Sequence, residues 1–130
     1  MSFELTMLVW AVILTLVQMV VAGLGSIAMV GVGPLVGNRE RLPPITGWAG
    51  RARRAHRNML ENLVLFAALV LVTEITNRNN WMTGLGAELF VGGRVAYAIV
   101  YIAGVPWLRT LVWAVAIAGL VVMLTQLPLI

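Results

Sequence analysis

The sequence predicts an all-α membrane protein, a bundle of four helices that each cross a bilayer. Three observations carry that expectation. Of 130 residues, 61% are apolar and only 11% are charged, whereas a soluble domain carries about a quarter charged. The apolar residues gather in four long runs, and a bilayer core is crossed by about 20 helical residues. Turn-forming groups separate the runs: Pro43-Pro44, Asn77-Arg78-Asn79-Asn80 and Gly104-Val105-Pro106. This composition excludes a soluble globular enzyme and a disordered chain. The lack of cysteine excludes a disulfide scaffold and a cysteine-ligated metal. The chain 1–130 reads as a single transmembrane domain without repeats.

The first run, residues 3–35, is longer than one span needs. Gly23, Gly25, Gly31, Gly33 and Pro34 crowd its second half, so it is expected to bend or end gradually. Its start, Met-Ser-Phe-Glu-Leu, lacks the basic segment of a secretory signal, and a retained helix is expected. Residues 37–53 read as a polar connection, and the second helix as 54–76. The asparagine stretch that follows is turn chemistry, because asparagine bonds its own backbone and tolerates left-handed conformations. The third helix is expected over 82–103 and the fourth over 107–127. Gln18, in the middle of the first span, is expected to make an interhelical hydrogen bond. Gly92 with Ala96, and Ala114 with Ala118, have the small-residue spacing that lets backbones approach closely.

All nine basic residues are arginine, and their placement predicts orientation. Arg39, Arg41, Arg51 and Arg53 stand in the first loop, Arg54 and Arg57 just beyond it, and Arg109 beside the third loop. The opposite side has only Arg78. The positive-inside rule then puts loops 1 and 3 in the cytoplasm and both termini outside it. Arg51 and Arg53 are read as topology signals. No soluble basic domain exists to meet nucleic acid. One histidine and no aspartate leave no expectation of a metal site.

The polar residues inside the spans carry the chemistry. Arg54, Arg57, Asn58 and Glu61 are spaced 0, 3, 4 and 7 and share one stripe of the second helix. Arg94, Tyr97 and Tyr101 form a similar stripe on the third. Arg109, Thr110 and Trp113 open the fourth helix at the same depth, where the first ends at Arg39 and Arg41. Arg94 lies about 15 Å from its helix end at ~1.5 Å per residue, too deep to reach the headgroups, and its structural partner would be Glu61 or Glu88. His56 lies off the stripe and reads as an interfacial group. A charge within a span costs about 2.5–3.5 kcal/mol and needs a partner. Arg54, Arg57, Arg94 and Arg109 face Glu61 alone. The missing counter-charge points to an anionic ligand rich in carboxylates, with one ammonium for Glu61.

With these residues in view, the sequence resembles the MAPEG family, membrane-associated proteins in eicosanoid and glutathione metabolism. The motifs that carry the resemblance are Arg-Ala-His-Arg-Asn-Met-Leu-Glu-Asn at 54–62, Gly-Arg-Val-Ala-Tyr-Ala-Ile-Val-Tyr at 93–101 and Pro-Trp-Leu-Arg-Thr at 106–110. The resemblance covers all four spans and is nearest the microsomal glutathione transferase and prostaglandin E synthase type, with a bacterial member expected. It implies a homotrimer with glutathione held at each subunit interface. Arg54, Arg57, Asn58 and Glu61 match the glutathione ligands of the second helix, and Arg94, Tyr97 and Tyr101 those of the third. Arg109 matches the arginine at the glutathione sulfur, and Thr110 stands where the prostaglandin synthase has serine. Arg39 or Arg41 matches an arginine supplied by the neighbouring subunit. Trp113 replaces a tyrosine, Tyr97 replaces a histidine of that synthase, and the turn before Arg109 differs in length.

The expected activity is a membrane glutathione-dependent transferase, peroxidase or isomerase acting on lipophilic electrophiles that arrive through the lipid. Two other classes share the four-span length. A non-catalytic lipid-binding member of the same family would not need Arg109. A small multidrug exporter would need a carboxylate within the first helix, which here holds Glu4 at its start and only Gln18 within.

Overall fold

The computed structural model describes residues 1–37 and 42–129. These form α1 (Phe3–Val30), α2 (Val32–Val36), α3 (Gly47–Ile75), α4 (Trp81–Ala103) and α5 (Pro106–Thr125). The four longer helices are each apolar and long enough to cross a membrane. The chain is thus an all-α protein, with the four spans that its composition predicts.

Local chemistry sets most helix ends. The Ser2 hydroxyl accepts from the Leu5 N–H at 3.2 Å and caps α1. The run 3–35 is two helices, broken at Gly31 with φ of +79°, a backbone conformation open to glycine without penalty. At ~1.5 Å per residue α1 alone exceeds the roughly 30 Å hydrocarbon core, so the break falls beyond the span proper. The helix containing the arginine stripe starts at Gly47, not at residue 54. Alanine and arginine are good helix formers, and the polarity of 47–53 marks the edge of the membrane rather than the end of the helix. Asn77 has a φ of +53°, as its turn chemistry suggests. Asn80 then opens α4 with a capping box. Its carboxamide accepts from the Met82 and Thr83 N–H groups, and the Thr83 hydroxyl accepts from the Asn80 N–H. Gly104, at φ +83°, ends α4, and Pro106 opens α5.

The bundle is two intimate pairs, α1 with α3 and α4 with α5, joined through α3 against α4 and α1 against α4. Small residues draw α4 and α5 together, but not those expected. A Cβ on Gly86 would lie 2.6 Å from the Gly119 carbonyl oxygen, one on Gly119 would lie 2.8 Å from the Phe90 nitrogen, and one on Gly93 would lie 2.9 Å from the Ala116 nitrogen. Gly92 has nothing within 4 Å, and Ala114 and Ala118 are exposed. The right spacing therefore sits on the wrong side of each helix. Phe66 stacks on Phe90 at 4.3 Å in the core, with Met59, Val70 and Met123 fully buried around them.

A polar knot closes the end of the bundle where the N-terminus lies. Glu4 is 3% exposed and accepts from Asn79 Nδ2 at 2.8 Å and from the Thr83 hydroxyl at 2.6 Å. Glu74 accepts from Asn79 and from the Ser2 hydroxyl. These bonds tie α1, α3 and α4 together at one level and leave the arginine-rich end of the bundle free for the site.

Candidate functional site

The site is built at the other end, from α3, α4 and α5. Arg94 is the largest fully buried side chain and is 1% exposed. Its Nη1 donates to Asn58 Oδ1 across the α3/α4 interface at 2.8 Å. Its guanidinium lies 4.2 Å from the Tyr97 ring centroid, a cation–π contact. Neither Glu61 nor Glu88 pairs with it, so the expected structural carboxylate partner is replaced by an amide and an aromatic face. Asn58 is itself held: Asn62 Nδ2 donates to its carbonyl at 2.8 Å and to Oδ1 at 3.1 Å.

Two further arginines converge on the second tyrosine of the α4 stripe. Arg54 Nε donates to the Tyr101 hydroxyl at 3.2 Å. Arg109 sits 4.9 Å from the Tyr101 ring centroid. Tyr97 and Tyr101, one turn apart, have centroids 5.3 Å apart. Three cations from three helices are thus strung along two adjacent rings. Among the described residues, no carboxylate forms an ion pair with any of them. Beside them Asn58, Tyr97, Arg109, Thr110 and Trp113 line a cavity of 190 Å³. Arg94 Nε and Nη2 are buried with no partner. Buried guanidinium nitrogens without acceptors are costly, and Arg94 itself lies behind the residues that line the cavity.

The structure therefore brings Arg54, Asn58, Arg94, Tyr97, Tyr101, Arg109, Thr110 and Trp113 into one neighbourhood. Arg57 and Glu61 are exposed on α3, and among the described residues Glu61 has no hydrogen-bond or ion-pair partner. Thr110 donates to its own helix, to the Pro106 carbonyl, at 3.3 Å. Arg39 and Arg41 lie outside the described residues. Arg51, read from sequence as a topology signal, has a structural role as well. Its Nε donates to the Ile102 carbonyl at 2.9 Å. It satisfies the C-terminal end of α4, where a basic side chain is favoured. Nothing in the sequence signalled this contact, since Arg51 lies in the first turns of its own helix and far along the chain from Ile102.

A family model describing the MAPEG family matches residues 3–127. The chain belongs to the MAPEG family. Searches of curated proteins and of solved structures return no match. Membership agrees with the motifs at 54–62, 93–101 and 106–110, which supply four of the five residues lining the cavity, all but Trp113. A multi-pass membrane protein with a role related to glutathione follows from the family and the four apolar helices.

Proposed function

We propose that this MAPEG protein is a glutathione-dependent transferase of the membrane, acting on lipophilic electrophiles as a homotrimer. The observation that carries the reading is the uncompensated row of Arg54, Arg94 and Arg109 along the Tyr97 and Tyr101 rings, with Arg109 and Tyr97 opening on a small cavity and two Arg94 nitrogens buried and unpartnered. Glutathione fits that deficit in chemistry, since it brings two carboxylates and one ammonium. It also supplies a thiol, the nucleophile a chain without cysteine lacks.

In this reading Arg54 and Arg94 hold carboxylates, with Asn58, Tyr97 and Tyr101 orienting the guanidiniums. Exposed Arg57 and Glu61 complete the site from the subunit boundary, Glu61 taking the ammonium. Arg39 or Arg41 comes from the neighbouring subunit. Arg109 stands by the sulfur, where a cation favours the thiolate, with Thr110 and Trp113 on the same wall. Loops 1 and 3 face the cytoplasm and both termini lie outside it. Conjugation in detergent tests the proposal: purified protein is assayed with glutathione against aryl halides, unsaturated aldehydes and lipid hydroperoxides. Glutathione binding with turnover on one of these classes is the expected result. Binding of lipid without glutathione would make the protein a lipid-presenting scaffold instead.

A further inference from the structure

Among the described residues, the buried side-chain atoms without a hydrogen-bond partner are both amide atoms of Gln18, Nε and Nη2 of Arg94, and Nδ1 of His56. They stand on three helices, α1, α4 and α3, and packing brings them to one level of the bundle. α1 runs antiparallel to α3, with Ser2 bonded to Glu74 and Gly25 packed on Ala49, so Gln18 is level with the turn that holds His56 and Asn58. α1 runs parallel to α4, with Glu4 bonded to Thr83 at 2.6 Å. At ~1.5 Å per residue, the turn from Thr15 to Gln18 is then level with the turn from Arg94 to Tyr97. Asn58 and Arg94 are themselves bonded across α3 and α4.

Gln18 also faces inward. It is 5% exposed and shares the buried stripe of α1 with Glu4, Ala11 and Thr15. Arg94 shares the buried stripe of α4 with Thr83, Ala87 and Phe90. The two stripes run along each other, since Glu4 meets Thr83 and Ala11 joins Ala87 and Phe90 in one core cluster. Followed toward the arginine-rich end, they lead to Gln18 and Arg94. Both side chains lean toward the amino ends of parallel helices, so the lean keeps them level. Asn58 and the Tyr97 ring hold one side of the guanidinium, and no direct bond joins it to Gln18.

We propose that ordered water in this layer links Gln18 of α1 to Arg94 of α4, and that Gln18 thereby positions the Arg94 guanidinium. Water donates as well as accepts, so one molecule accepts from Arg94 and donates to Gln18 Oε1. Buried waters make about three hydrogen bonds to polar groups of this kind. A guanidinium has five N–H groups and Asn58 takes one. The water takes another, and N–H groups remain for a carboxylate. The glutathione reading uses the charge of Arg94 and assigns nothing to Gln18.

Melting temperature of the full chain in detergent, without glutathione, reads the link by its sign. An amide with no partner is a liability, and Gln18→Met, of similar length, would raise the melting temperature by removing it. An amide linked to Arg94 is a partner, and Gln18→Met should lower the melting temperature by about 3–8 °C. That loss should vanish in an Arg94→Met background, because coupled residues are not additive. Gln18→Glu keeps an acceptor oxygen beside the cation and should melt at or above the parent value. A rise in Gln18→Met, an equal loss with and without Arg94, or a larger loss in Gln18→Glu than in Gln18→Met overturns the proposal. A high-resolution density map of the parent chain, which needs no variant to fold, should show water within hydrogen-bond distance of both side chains; a direct or dry contact overturns the bridge. Gln18→Met should also weaken glutathione binding about threefold with the thiol titration unchanged, since Arg109 is untouched. Unchanged affinity would overturn the positioning role. Absence of glutathione binding in the parent would defeat the proposed function and leave the melting and density results standing.

Discussion

Replacing Arg109 by alanine separates a catalyst from a scaffold, and the expected pH dependence is unusual. Arg109 is half-buried, lines the 190 Å³ cavity and rests against the Tyr101 ring. A thiolate in that cavity would stand roughly 4 Å from the guanidinium, where an effective dielectric near 20 makes the attraction about 4 kcal/mol. Partial exposure of Arg109 lowers the usable part to about half, which corresponds to one to two pKa units at ~1.4 kcal/mol each. Bound glutathione in the parent should then titrate roughly at 6.5–7.5, and in Arg109→Ala near the ordinary thiol value of about 8.5. The sign matters. At pH 7 the thiolate fraction falls by about 8- to 25-fold in the variant, but a more basic thiolate is intrinsically more nucleophilic, with a Brønsted slope of about 0.4–0.5. For a two-unit change the two effects leave a net loss in turnover of about threefold at pH 7 and a gain of about sixfold at pH 9. Affinity should change less than the thiol titration, since Arg54, Arg94 and Glu61 remain. Thiolate absorbance titrated in both proteins, with turnover at saturating glutathione from pH 6 to 9.5, measures all of this. An unchanged titration midpoint would refute the assignment of Arg109 and favour a lipid-presenting role.

Other outcomes are equally concrete. Glu61→Gln should weaken glutathione binding about 10-fold, the worth of one charge-assisted hydrogen bond, with the oligomer intact on size-exclusion chromatography; unchanged calorimetric affinity would remove Glu61 from the site. Gly119→Ala should destabilise the α4/α5 pair by about 1–3 kcal/mol through overpacking, because its Cβ meets the Gly86 carbonyl and the Phe90 nitrogen. Gly92→Ala, in open space, should be neutral or slightly stabilising, and equal melting temperatures for the two variants would contradict the packing described. A reporter fused after the last residue should be active only outside the cytoplasm, as the arginines around the first loop require. Activity of that fusion in the cytoplasm would invert the topology.

The number of spans and the presence of a polar stripe were legible in the sequence because a membrane punishes polarity inside an apolar run. Arg94, Tyr97 and Asn58 stand out there as they would not in a soluble chain. Asn77 and Gly104 were legible as turn residues from local backbone chemistry. Spacing of 0, 3, 4 and 7 places residues on one face, but it says nothing of how two helices are rotated against each other. Only tertiary structure decided that. It made Asn58 and Tyr97, not a glutamate, the partners of Arg94. It chose Gly86, Gly93 and Gly119 over Gly92 as the close-approach surface. It left Gln18 without the interhelical hydrogen bond expected of it, both amide atoms buried and unpartnered. Glu4 read as a mere acidic start to the first helix, and the packing of α1 on α4 buried it against Asn79 and Thr83. The sequence determined which groups the bilayer would force inward, since that depends on composition along one helix. Which of them would meet depended on the azimuth and register of neighbouring helices, which packing alone sets.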